Sequence, residues 1–206
     1  IELLAGGFMA FSFLASSIYI VNDYRDVEDD RKHPTKSKRP LASGKVKKSA
    51  GLIVAILLFV AGTIVAYLLD DSGKFLFLLG IYYLLNLGYS FGLKNISIVD
   101  IIIVSAGFVL RVKGGAVLGH IDTTEWLIIM TFLLALFMAI GKRRDDVMLK
   151  LSTGNDMRKA IKGYTLDYLN ILLGLVCAVI IVAYINYTVS GALYKEFGHR
   201  LYYTSL

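Results

Sequence analysis

The residues best placed to do chemistry lie between Asn22 and Gly44, NDYRDVEDDRKHPTKSKRPLASG, where five acidic residues fall within eight positions and a dense basic run follows. Asp23, Asp26 and Asp30 are spaced i, i+3 and i+7, so a helix continued through them sets their carboxylates on one face. Like charges on one face repel by about a few tenths of a kcal/mol per pair. A divalent cation, with an anion behind it, offsets that repulsion. Oxygen ligands with no cysteine or histidine partner suit Mg²⁺, which commonly bridges one or two carboxylates to substrate phosphates. The plain alternative is a solvated acidic turn at a helix end. The apolar segment abutting the cluster and the phosphate-binding side chains after it weigh against that alternative.

The elements that must hold these carboxylates are membrane helices. The 206 residues are 56% hydrophobic and only 18% charged, against about 25% charged in soluble domains, and the mean hydropathy is +0.64. The charges are segregated into hinges between long, nearly uncharged runs, the pattern of an all-α polytopic membrane protein. A net charge of +6 raises the question of nucleic acid. The basic residues cluster beside apolar spans, however, where they set topology and bind phosphate groups. The single cysteine, Cys177, can form no disulfide within the chain. The first residues, IELLAGGFMAFSFLASSIYIV, lack an initiator Met and a basic n-region, so they are no signal peptide. Starting at the edge of a helix and stopping as the apolar LYYTSL begins, the chain reads as part of a longer protein.

Six spans are expected: residues 1–21, 50–69, 75–93, 96–118, 124–141 and 166–189, each near the roughly 20 residues that cross a bilayer. They form one integral membrane domain over residues 1–206, with polar hinges at about 22–49 and 142–165. Nine basic residues lie between Asp23 and Ser49 and seven between Lys142 and Thr165, whereas the turn after the second span holds only Lys74. Strict alternation of six spans puts both basic hinges on one side, which the positive-inside rule makes cytoplasmic. The acidic cluster and the Lys142 to Asp146 cluster then share that side, where they could share one site.

The second hinge opens GKRRDDVMLK. Arg143 stands three residues and Lys142 four residues before Asp146, spacings that permit ion pairs on a helix. At the membrane edge Lys142 and Arg143 can instead meet substrate phosphate, and Asp145 and Asp146 can hold a second cation or neutralise the arginines. Asp100 lies within the start of the fourth span, and an intramembrane carboxylate marks a candidate site because leaving it unpaired in hydrocarbon is expensive. Lys94, in the turn before it, is a counter-ion or a phosphate ligand. Arg111 and Lys113 lie deeper, either snorkelling or lining a cavity. Asn86 reads as an interhelical hydrogen-bonding residue, and Tyr82, Tyr83 and Tyr89 as interfacial or groove-lining aromatics. His33, His120 and His199 fit no zinc spacing.

Asn22, Asp23, Asp26 and Asp30 form NDxxDxxxD, followed by Arg31, Pro34, Lys36, Arg39, Pro40 and Gly44. This stretch resembles the first aspartate-rich motif of the UbiA superfamily of intramembrane prenyltransferases. The resemblance implies a ring of nine transmembrane helices around a cavity open laterally to lipid, of which the six spans here are the second through seventh. It also implies that Asp23, Asp26 and Asp30 bind Mg²⁺ and the donor's diphosphate, and that Asn22, Arg31, Lys36 and Arg39 contact substrate. The place of the superfamily's second acidic motif reads AIGKRRDD here. With FVLRVKGGA at Phe108 to Ala116, it is similar to the branch that transfers phosphoribose to a polyprenyl phosphate in cell wall biogenesis. That implies 5-phosphoribose 1-diphosphate as donor and a polyprenyl (decaprenyl-like) phosphate as acceptor, with an active site at the cytoplasmic face of the plasma membrane. Lys94, Asp100, Lys142, Arg143 and Asp146 complete the expected substrate-binding set. An ordinary prenyltransferase would carry an acidic second motif and have no need of Lys142 and Arg143. A transporter would explain the intramembrane charges but leave the Asn22 to Gly44 pattern unexplained.

Topology is directly testable. In a Cys177→Ser background, Ser37→Cys and Ser152→Cys should both react with a membrane-impermeant maleimide only from the cytoplasmic side, and Ser72→Cys only from outside. Labelling of positions 37 and 152 from opposite sides would remove a span from the count.

Overall fold

The computed structural model describes residues 2–32, 35–153 and 163–189. His33, Pro34 and His199 of the sequence reading, and much of the second hinge, lie outside them. Among the described residues there is no strand. Six helices follow one another: α1 (Glu2–Lys32), α2 (Lys48–Leu69), α3 (Lys74–Ser90), α4 (Val99–Gly119), α5 (Glu125–Thr153) and α6 (Leu166–Val189), with 3-10 turns at Lys36–Lys38 and Leu93–Asn95. Each expected span is one helix. Five are long and apolar enough to cross a membrane. The exception is α3, whose 17 residues reach only about 25 Å at 1.5 Å per residue, less than the hydrocarbon thickness of a typical bilayer.

Two helices overrun their apolar runs. The sequence reading ends the first span near Val21 and the fifth near Gly141, yet α1 continues to Lys32 and α5 to Thr153. A helix is sustained by its own backbone bonds and need not stop at a change in polarity. No Pro or Gly falls between Val21 and Lys32, or between Lys142 and Thr153, to weaken it. Both charged clusters therefore ride on helix, one or more turns beyond the apolar stretch.

The chain forms two compact units, Ile1–Leu93 with Leu110–Asp122, and Lys94–Val109 with Thr123–Leu206. In the first, α2 buries Gly51, Ala55, Gly62 and Ala66, a face made wholly of small residues. Gly62 shows how close the backbones come. A Cβ there would stand 3.1 Å from the Ala10 carbonyl oxygen, 3.2 Å from Phe13 Cβ and 2.1 Å from a Leu14 methyl. Between helices in lipid, burial of apolar surface supplies little drive, so such close van der Waals packing does the holding. Ala10, Leu14, Ala66, Phe75, Leu79 and Leu118 form the core of this unit, with Phe11 edge-on to Phe75 and Tyr82 at 5.8 and 5.3 Å between ring centroids. In the second unit Ile101 of α4, Ala139, Ile140 and Val147 of α5, and Leu169 and Val176 of α6 pack together with Tyr164. Large apolar side chains such as Leu57, Leu68, Phe77, Leu84, Met138 and Ile171 are exposed, as expected of surfaces that face lipid.

The small-residue face makes a prediction. Gly62→Val should destabilise the protein by about 1–3 kcal/mol, the usual result of overpacking, read as a lower thermal midpoint in detergent. Gly80→Ala, where nothing lies within 4 Å of the added carbon, should be neutral or slightly stabilising. Equal midpoints for the two variants would show that the α1–α2 contact does not depend on this close approach.

Candidate functional site

Because α1 runs unbroken to Lys32, Asp23, Asp26 and Asp30 stand on successive turns of one helix. Asp30 is buried, and Asp23 and Asp26 are half-buried. Beyond the turn at Lys36–Lys38 the chain doubles back onto this face. Arg39, in extended backbone, donates from Nη1 to Asp23 Oδ1 at 2.7 Å and to Asp30 Oδ2 at 2.9 Å. One nitrogen thus gathers carboxylates seven residues apart, which only a shared helix face allows.

The RPLASG tail is built to deliver that arginine. The Ser43 N–H donates to the Arg39 carbonyl at 2.9 Å and the Val46 N–H to that of Pro40 at 3.1 Å. Gly44 takes φ +77°, a left-handed conformation that glycine adopts without the steric penalty of a side chain. Leu41 and Ala42 are buried, and the Leu41 side chain lies where a Cβ on Gly51 would be 2.9 Å away. Arg31 donates from Nε to the Ala42 carbonyl at 3.2 Å and pairs with Glu28 at 3.3 Å, bracing the loop. Lys48 of α2 also meets Glu28, at 3.3 Å. Arg25 donates to the Ser90 carbonyl at 2.9 Å and stacks 4.4 Å over Phe91, tying the same helix end to α3. The role of Arg25 leaves no mark in the sequence beyond its charge, because its partner is a backbone carbonyl.

No group of three or more His, Cys, Asp or Glu side chains close enough to hold a metal ion alone occurs among the described residues. Mg²⁺ commonly takes only one or two carboxylates, with water and phosphate oxygens completing its shell. Asp23 and Asp30 offer hard oxygen donors that already converge on one cationic group, with Asp26 a turn from each. The residues present fit the ion.

Deeper in the same unit is a cavity of about 380 Å³, walled by Leu4, Phe8, Phe11 and Phe75 with Ser12 and Arg111. Arg111 donates from Nη2 to the Tyr82 hydroxyl at 2.7 Å, with its guanidinium 5.1 Å from that ring's centre. Of the two readings open for Arg111, cavity lining is the one observed. Tyr82 is buried and so is no interfacial belt residue. Asn86 corrects another expectation: its amide donates to the Tyr82 carbonyl at 2.8 Å, within its own helix and not across to a neighbour.

The second unit carries its own charged cluster. Asp100 and Arg143 are 1% and 4% exposed, and Asp100 Oδ2 lies 2.8 Å from Arg143 Nε. Neither atom is aligned for a hydrogen bond, so attraction between the charges, not a directed bond, makes this contact. The sequence offers Lys94 as counter-ion to Asp100; Arg143 fills that role. Tyr164 donates its hydroxyl to Asp100 Oδ1 at 2.7 Å and accepts the Ile98 N–H at 2.5 Å. Burial, above all, pushes the Tyr164 phenol above its usual range, so it keeps the proton it donates. Ile98 has φ +73°, a strained conformation for a β-branched residue, and Tyr164 anchors it. Arg143 also pairs with Asp146, as the three-residue spacing allows. Lys142 beside it is exposed. Tyr164 escapes sequence reasoning because an isolated tyrosine before a span has no distinguishing pattern.

Residues 1–153 match the sequence model of the UbiA prenyltransferase family. Over 183 residues the chain is 38% identical to the decaprenyl-phosphate phosphoribosyltransferase of Corynebacterium glutamicum, covering 88% of this chain and 54% of that protein. Over 177 residues it is 38% identical to the enzyme of the same name from Mycolicibacterium smegmatis, covering 86% and 55%. The chain therefore spans about half the length of the curated relatives it matches. A solved structure of a UbiA homolog from Archaeoglobus fulgidus, bound to DMAPP and Mg²⁺, superposes with a TM-score of 0.77 at 18% identity. That superposition covers 89% of this chain and 65% of the other and shows a shared fold.

The buried pair gives the next prediction. Arg143→Ala strands a carboxylate in the interior and should destabilise by about 3–5 kcal/mol. The double variant Asp100→Asn/Arg143→Met removes both charges and should recover at least half of that loss in detergent thermal denaturation. Equal losses in the single and double variants would show that charge pairing is not what Arg143 supplies.

Proposed function

The chain belongs to the UbiA prenyltransferase family, and from that premise we propose that it is part of a membrane enzyme that moves 5-phosphoribose from 5-phosphoribose 1-diphosphate to a polyprenyl (decaprenyl-like) phosphate, releasing diphosphate. The observation that carries this reading is the pair of Asp23 and Asp30 oxygens converging on one cationic group at the end of an apolar helix. Similarity to enzymes named for phosphoribosyl transfer supports the choice of donor and acceptor.

Asp23, Asp26 and Asp30 would hold Mg²⁺, which when bound stabilises negative charge on a departing diphosphate. Asn22 orients the diphosphate through its amide, and Lys36 and Arg39 supply cationic donors close to the acidic face. Lys94 and the exposed Lys142 are further phosphate-binding cations. Arg31, braced against Ala42, acts by fixing the loop. Asp100, Arg143 and Asp146 act by position: their ion pairs set the α5 turn that carries Lys142. In the reaction a bond forms between an acceptor phosphate oxygen and the anomeric carbon as the bond to the diphosphate oxygen breaks. Attack opposite the leaving group inverts the anomeric centre. The acceptor phosphate is ionised near neutral pH, so no dedicated general base is needed. Stabilisation of charge that develops only in the transition state is the main contribution. On this reading the acidic extension of α1 lies on the cytoplasmic side of the plasma membrane, and the polyprenyl tail remains in lipid.

A donor comparison tests this. Full-length protein with a polyprenyl phosphate and Mg²⁺ should place radiolabel in the lipid extract from phosphoribosyl diphosphate and not from a prenyl diphosphate. Asp23→Asn and Asp26→Asn should each lose at least about a hundredfold in turnover, comparable to losing a strong transition-state contact. EDTA should abolish activity reversibly. Label arriving from the prenyl diphosphate instead would make the protein an ordinary prenyltransferase, and full activity of both variants in EDTA would sink the metal assignment.

A further inference from the structure

Arg39 occupies the oxygens that a metal ion needs. Its Nη1 stands 2.7 Å from Asp23 Oδ1 and 2.9 Å from Asp30 Oδ2, and Mg²⁺ binds oxygen at about 2.0–2.1 Å. An ion seated between those two oxygens would press against a guanidinium of like charge. For an ion to sit between those two oxygens the arginine must leave. Arg39 is able to leave, because it sits on a loop and is 37% exposed at its side chain. Asp30, by contrast, is 5% exposed at its side chain and fixed in a helix. Without a cation between them, Asp23 and Asp30 would face each other as like charges on one helix face.

We propose that Arg39 is the resident counter-ion of the carboxylate face, holding Asp23 and Asp30 together until a divalent cation displaces it and then turning to the diphosphate that the cation carries. This rests on the metal reading of the site given above and goes beyond it in assigning one arginine two successive partners. Before metal arrives, Arg39 keeps the face preassembled and closes the loop from Lys36 to Gly44 over it. Afterwards the same planar fork offers bidentate geometry to phosphate oxygens. Metal and arginine therefore compete when no anion is present and cooperate when one is. A residue that merely braces the loop would not change sign in this way.

The experiment measures binding of Mn²⁺, a paramagnetic substitute for Mg²⁺, to the full-length protein in nanodiscs, with and without inorganic diphosphate. Without diphosphate, Arg39→Gln should bind Mn²⁺ roughly three- to tenfold more tightly than wild type, since a competing, partly exposed ion pair is gone. With Mn²⁺ saturating, the same variant should bind diphosphate roughly tenfold or more weakly, through the loss of a charge-assisted contact. Its metal-free thermal midpoint should fall, and Mn²⁺ should raise it by more than it raises that of wild type. Arg39→Lys, which keeps the charge, should stay near wild type for Mn²⁺ and fall between the two for diphosphate. Mn²⁺ affinity that is unchanged or weaker in Arg39→Gln would overturn the proposal, as would Mn²⁺ binding that survives Asp23→Asn intact. Because only metal and inorganic diphosphate are used, a protein that shows the opposed shifts but transfers no phosphoribose keeps this inference and loses the substrate assignment.

Discussion

Charge beside an apolar helix has to be met by other charge, and in the first unit a single guanidinium nitrogen meets two carboxylates at once. Arg39 Nη1 touches Asp23 and Asp30, and through those bonds the loop after α1 is laid back over the helix that precedes it. The remaining contacts follow from that closure. Leu41 can reach Gly51 only if the loop turns there, Gly44 must take a left-handed conformation to turn it, and Arg31 finds the Ala42 carbonyl because the loop has come alongside. Partly exposed pairs are individually weak, on the order of 0–1 kcal/mol. The loop is held by several such contacts at once and by two buried apolar residues.

The second unit meets the same constraint by burial. Asp100 and Arg143 are almost wholly removed from solvent, where the loss of hydration largely cancels the attraction between them. Such a pair adds little net stability, but either charge left alone would be severely unfavourable. It therefore specifies one arrangement of α4, α5 and Tyr164 over others. The left-handed Ile98 fits that account, since its strain persists only because Tyr164 accepts its N–H and Asp100 accepts from Tyr164.

How much of this the sequence discloses depends on the range of each interaction. The carboxylate face was legible because three aspartates at helical spacing sit in a stretch with no Gly or Pro to break the helix. The Arg143–Asp146 pair was legible for the same local reason. The spans were legible as apolar runs, but the reach of α1 and α5 was not, since helix continues through Lys32 and Thr153, past the point where polarity changes. The destination of Arg39, the buried partner of Asp100 and the part played by Tyr164 are tertiary facts, and no local pattern distinguishes an arginine that folds back from one that faces solvent. The small face of α2 could have been read from Gly51, Ala55, Gly62 and Ala66. It is masked by the uniform apolarity around it, which erases the contrast on which periodicity depends.

The Asp100 cluster has a consequence for how the protein is made. Translation delivers Asp100 64 residues ahead of Tyr164, and Arg143 too is synthesised well after it. The segment that becomes α4 must therefore meet the insertion machinery with a carboxyl group whose partners do not yet exist. Such a segment partitions poorly by itself, because a lone carboxylate near hydrocarbon is disfavoured by about 2.5–3.5 kcal/mol when placed centrally and by less near the edge. It is stabilised only when α5 arrives with its guanidinium. The two helices are thus expected to enter lipid as a pair, and the Asp100–Arg143 contact records an order of assembly as well as a folded state.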